Sequence, residues 1–101
     1  MKDVCFTLTG TRYHFGNDFI KPGMEIKLRK EPDNSFDREA IAVYLEGLGC
    51  IGYVANSVNT VLGESLSAGR LYDRIGRKAG AKVLLKTDKG IICKVKKKDL
   101  K

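Results

Sequence analysis

Two short stretches gather the side chains best suited to chemistry. Arg12-Tyr13-His14-Phe15 interleaves a cation with aromatic rings directly after a β-prone run. Exposed aromatics beside arginine suit single-stranded nucleic acid, because bases stack on rings for about 1–3 kcal/mol each while the guanidinium holds phosphate. In the alternative arrangement, Tyr13 and Phe15 fold back and close the end of the core. The second stretch is Glu31-Pro32-Asp33-Asn34-Ser35-Phe36-Asp37. It is a turn cluster in which proline fixes one φ angle and Asp33 and Asn34 bond the backbone. Phe36 either plugs the core or stacks on a ligand. The carboxylates Asp33, Asp37 and Glu39 suit turn and cap duties at least as well as acid–base work.

Enzymatic chemistry finds little footing. A nucleophilic triad needs a base, and His14 is the single histidine. Neither Gly-x-Ser-x-Gly nor a phosphate-cradling glycine loop is present. Cys5, Cys50, Cys93 and His14 match no zinc-knuckle spacing, and the cysteines read as small core hydrophobes. The expectation is a protein without catalytic residues, metal or cofactor. An odd, scattered cysteine set argues against a disulfide scaffold and for the reducing cytoplasm. The first ten residues lack an apolar leader region, and no apolar run is long enough to span a membrane.

These groups need a scaffold, and the pattern is that of short strands. Val4 to Thr9 is β-branched and aromatic and stops at Gly10. Met24 to Lys30 alternates strictly, with Met24, Ile26 and Leu28 on one face and Glu25, Lys27 and Arg29 on the other. Ala40 to Leu45 is a continuous apolar run, and Gly47-Leu48-Gly49 reverses it into Cys50–Val54, where Tyr53 is expected to point outward. Ala81 to Lys86 and Ile91 to Val95 flank Thr87-Asp88-Lys89-Gly90, a second hairpin. Val58, Val61, Leu62, Ser65 and Leu66 follow helical spacing, so one α-helix is expected near residues 57–67. Asn56 or Ser57 would be its N-cap and Gly69 its terminator. Residues 70–80 are basic and without a clear assignment. The fold class is therefore mainly β, a small barrel or sandwich with one helix, in a single domain spanning 1–101.

Of the 101 residues, 43% are apolar and 31% charged, an ordinary globular composition. The net charge of +7 is unevenly spread. Residues 1–69 hold seven Lys/Arg against nine Asp/Glu, whereas 70–101 hold twelve against three. The positive excess thus lies in the last third and ends in a basic tail, 94–101. It suits either a polyanionic partner, nucleic acid before membrane, or plain solubility.

The order Gly10-Thr11-Arg12-Tyr13, Leu28-Arg29-Lys30-Glu31-Pro32-Asp33-Asn34-Ser35-Phe36-Asp37, Ala40-Ile41-Ala42-Val43 and Ile51-Gly52-Tyr53-Val54 resembles the HIRAN domain. That module occurs at the N-terminus of Swi/Snf-type DNA translocases and as small stand-alone bacterial proteins. The resemblance runs from about Asp3 to Gly69. It implies a β-barrel related to the OB-fold, carrying a helix, with a pocket for the 3′ end of single-stranded DNA. Carried over, Arg12 contacts phosphate and Tyr13 stacks on a base, while Asp33 and Asn34 shape the turn. Phe36 stacks on the terminal nucleotide and Asp37 accepts a hydrogen bond from the 3′-hydroxyl. Tyr53 and Asn56 complete the DNA-binding set. Three positions depart from the eukaryotic domain. Phe36 replaces tyrosine and loses a phenol hydrogen bond, Tyr53 replaces histidine, and Asn56 replaces lysine.

The resemblance therefore implies a non-catalytic module that binds single-stranded DNA 3′ ends or damaged DNA, working with a helicase or nuclease partner. The competing expectation is an adaptor that recruits a repair or restriction enzyme by holding a peptide in the same groove. Salt separates the two, since phosphate neutralisation weakens steeply with salt and an apolar groove does not.

Overall fold

Alternation along β2 (Glu25–Lys30) sets the architecture: Ile26 and Leu28 are buried and Glu25, Lys27 and Arg29 exposed, as period two requires. The computed structural model describes residues 3–101. Five further strands join β2, namely β1 (Cys5–Thr9), β3 (Ile41–Leu45), β4 (Gly49–Val54), β5 (Lys78–Lys86) and β6 (Ile91–Val95). All neighbours are antiparallel, and the order β1-β4-β3-β2-β5-β6 closes through β1 against β6. A closed barrel leaves no strand edge to pair with another chain. Its interior is filled by Phe6, Leu8, Leu28, Ile41, Val43, Ile51, Val83, Ile91, Cys93 and Val95, all fully buried.

Each strand expected from the sequence forms. The one marked difference in extent is β5, which starts at Lys78 rather than Ala81 and so pairs along nearly all of β2, from Glu25↔Lys82 to Arg29↔Lys78. Glycine permits the tight contact between β4 and β1. A Cβ on Gly52 would lie 2.6 Å from the Thr9 carbonyl oxygen and 2.8 Å from Leu8 Cδ1, closer than packed atoms approach.

The helix lies elsewhere than expected. Residues 57–67 form turns and an extended segment, and the single α-helix among the described residues, α1, is Ala68–Tyr72. Ser67 is its N-cap, accepting from Arg70 N, and Gly69 is its second residue rather than its terminator. Long-range bonding to β1 overrides the helical spacing. Leu66 N donates to the Cys5 carbonyl at 2.8 Å, and Leu62 N to Thr7 Oγ1 at 3.0 Å. Val58, assigned to the apolar face of that helix, is 95% exposed.

The cysteines also divide. Cys93 is a core residue whose thiol is pushed up to about 12 by burial. Cys5 and Cys50 are only half-buried, so the core reading does not hold for them. Among the described residues no three His, Cys, Asp or Glu side chains stand close enough to hold a metal ion. No helix among them is long and apolar enough to cross a membrane. The basic C-terminal segment does not trail away: Lys96 N donates to Gly80 O, Leu100 pairs with Ile75, and Lys101 N donates to Arg74 O.

Candidate functional site

The turn between β2 and β3 is fixed by its own side chains. Asn34 Oδ1 accepts from Phe36 N at 2.9 Å and from Asp37 N at 3.1 Å, while its Nδ2 donates to Glu31 Oε1. Asp37 Oδ1 accepts from Glu39 N at 2.9 Å. Two Asx-type turns in succession hold the backbone. The result is that Phe36 stands 97% exposed on a pinned main chain. It does not plug the barrel.

Asn56, just past β4, ties that turn to the helix. Its Nδ2 donates to Asp37 Oδ2 at 2.8 Å, and its Oδ1 accepts from Gly69 N at 2.9 Å. Tyr53, half-buried on β4, donates its hydroxyl to Glu31 Oε1 at 2.9 Å. Burial and then the Glu31 carboxylate push its phenol well above the usual value, keeping it neutral. Asn34, Phe36, Asp37, Tyr53, Asn56 and Thr60 line one shallow depression of about 470 Å³.

Arg12 and Tyr13 do not line this depression. Gly10, at φ 76°, turns the chain out of β1 into a single 3₁₀ turn, Thr11–Tyr13. Arg12 lies over the Tyr13 ring, 4.9 Å from its centroid, and donates to its hydroxyl at 2.9 Å. Tyr13 is 74% exposed and Phe15 is also exposed, so neither closes the core. The next residue, His14, has its ring 6.1 Å from that of Tyr53 and tilted by 43°. His14, the C-cap of the 3₁₀ turn, thus stands near one lining residue of the depression, Tyr53. Asp33 is exposed in the turn and stays outside the depression.

Sequence reasoning missed Glu31, which orients both Tyr53 and Asn34, and it weighed Glu39 only for turn, cap or acid–base duties, whereas its carboxylate accepts a longer bond from Asn56. It also missed the lining residues Ser57 and Thr60, because that segment was expected to be helical. Glu31 alone left a signal, three residues before Asn34 at the mouth of the turn.

The electrostatics are distinctive. The lining holds the Asp37 carboxylate and no lysine or arginine, and Glu31 and Glu39 stand behind it on Tyr53 and Asn56. Such a surface repels phosphate and welcomes a hydroxyl donor. Asp37 already accepts two hydrogen bonds, yet a carboxylate offers about four lone-pair directions, so two remain for a ligand.

A family model described as the HIRAN domain matches residues 1–89. Two solved structures share the fold. The HIRAN domain of human HLTF superposes with a TM-score of 0.61 at 16% identity, covering 92% of this chain and 74% of that one. A protein from Lactobacillus plantarum gives 0.59 at 21% identity, covering 94% and 93% respectively. No curated protein matches the chain.

Proposed function

The chain belongs to the HIRAN domain family, and from that membership we propose that its depression binds the 3′ end of single-stranded DNA without catalysing a reaction. The observation that carries this reading is Phe36. An aromatic side chain 97% exposed on a turn pinned by Asn34 contributes nothing to the core. It is a preformed platform for a base. The terminal base stacks on Phe36, and the 3′-hydroxyl donates to Asp37. Asn56 holds that carboxylate in place. Tyr13 stacks on a preceding base, and Arg12, free to leave its intra-loop contact with Tyr13, meets a phosphate. Asp33 acts only through the turn. The protein then marks free DNA ends in the cytoplasm for a helicase or nuclease partner.

Fluorescence anisotropy with 5′-labelled oligonucleotides tests the reading. A free 3′ end is expected to bind more tightly than a 3′-phosphorylated end or a blunt duplex. Equal affinity for all three would remove the end-binding role. Absence of binding at low salt would instead favour the adaptor reading, for which exposed Val58, in the segment that lines the depression, supplies an apolar contact.

A further inference from the structure

The depression accounts for a terminal hydroxyl and one or two bases, but its lining holds no cation, and Arg12 of the 3₁₀ turn is the single cation assigned to the phosphates that follow. The strand register shows where cations lie. Residues directly opposed in antiparallel strands put their side chains on the same face. Tyr53 opposes Ala42, Ala42 opposes Arg29, and Arg29 opposes Lys78. A single row thus runs over the outside of the barrel, from the site's own Tyr53 across β3 and β2 to β5. Ala42, the small residue in its middle, is itself fully buried beneath its neighbours, so a strand following this row crosses over those side chains between Tyr53 and Arg29. The next row runs through Tyr44, Lys27 and Gly80. Gly80 lets Lys96 lie across β5, since a Cβ there would stand 3.0 Å from Lys96 Cδ.

Arg29 and Lys78 of the first row and Tyr44, Lys27 and Gly80 of the second line a groove of about 640 Å³. Its acids are mostly engaged: Glu25 is paired with Lys96, and Asp99 accepts from Gly80 N at 2.7 Å, leaving Glu46. Lys27, Arg29, Lys78 and Lys98 also line it and make no ion pair among the described residues. Arg29 lies 5.0 Å from the centroid of the Tyr44 ring, which adds an aromatic face to the cationic floor.

We propose that this groove is a phosphate track for the same DNA strand whose 3′ end occupies the depression. Arg29 and Lys78 neutralise the first phosphates beyond Tyr53, and Lys27 and Lys98 serve those further from the end. The proposal rests on the end-binding reading and extends it. Three strand-to-strand steps of about 4.8 Å span roughly 14 Å, about four stacked nucleotides or fewer extended ones. Part of the basic excess of the last third thereby acquires a place, since Lys78 and Lys98 belong to it.

The test compares a trinucleotide with a ten-nucleotide oligodeoxythymidine, both with free 3′ ends, on the wild type and on the Arg29→Gln/Lys78→Gln double variant. Both side chains are exposed, so the variant is expected to keep the wild-type melting temperature. Each single-strand phosphate contact contributes a slope of about 0.7 in log affinity against log salt. Loss of two contacts is expected to reduce the slope for the longer strand by about 1.4. At 0.1 M salt that weakens binding about 25-fold, taking the contacts as negligible at 1 M. Trinucleotide affinity is expected to stay unchanged.

An unchanged slope for the longer strand, with the trinucleotide still preferring a free 3′ end, would overturn the track and leave the end site standing. A reduced slope without any end preference would keep a cationic surface but overturn its role as the continuation of an end site. No binding of either oligonucleotide to the wild type would overturn both.

Discussion

Replacing Phe36 by alanine separates binding from folding more cleanly than any other single change. The ring is 97% exposed, so its removal uncovers almost no core surface. The backbone amide of residue 36 still donates to Asn34 Oδ1, because that bond does not involve the side chain. Stability is therefore expected to change by no more than about 0.5 kcal/mol, the usual range for surface substitutions. A base that stacks on the ring loses about 1–3 kcal/mol, which corresponds to a 5- to 150-fold rise in Kd. Anisotropy against a free 3′ end measures the second quantity and thermal denaturation the first. Phe36→Tyr serves as the complement, since it retains the platform and should bind at least as tightly. A variant that binds like the wild type would refute the stacking argument. So would one that melts many degrees lower, because Phe36 would then be part of the folded core.

Other expected outcomes follow from the same geometry. Asp37→Ala should abolish discrimination between a 3′-hydroxyl and a 3′-phosphate, at a stability cost of about 1–2 kcal/mol for two lost hydrogen bonds; a ratio unchanged from wild type would clear Asp37 of that role. Gly52→Ala forces a Cβ against the Thr9 carbonyl, so a loss of about 1–3 kcal/mol and a drop of several degrees in Tm are expected by calorimetry. The Tyr53 phenol is pushed up by burial and by Glu31. Its ionisation is therefore resisted in the folded state, and the associated stability is complete below the ordinary value of 10.0 and lost as pH rises through the raised one. Urea denaturation of Tyr53→Phe from pH 8 to 11 should show a shallower alkaline decline than the wild type. Cys93, buried with its thiol near 12, should react with a thiol reagent at pH 8 only after unfolding.

Much of this molecule was legible in its sequence where local and global demands agree. Strict alternation in 24–30 fixed which face of β2 is buried, and the turn residues 31–37 announced the loop that displays Phe36. The segment 57–67 shows the opposite case. Its apolar residues have helical spacing, yet Leu62 and Leu66 spend their amides on β1, and no local pattern reveals a partner more than fifty residues away. The same limit hid the roles of Asn56 and Glu31. Asn56 looks like an N-cap in sequence, whereas its amide spans Asp37 and Gly69. The basic last third was visible as charge, but only the register of β2 against β5 shows that Arg29 and Lys78 lie in line with Tyr53.

Chemical-shift mapping with an isotope-labelled protein tests the central claim most directly. On titration with a short single strand bearing a free 3′-hydroxyl, the largest changes are expected at residues 34–37, 53–60 and 12–13. The same strand with a 3′-phosphate should leave Asp37 and Asn56 nearly unmoved. Shifts confined to the lysines of 94–101, or equal responses to both strands, would contradict a 3′-end site in this depression.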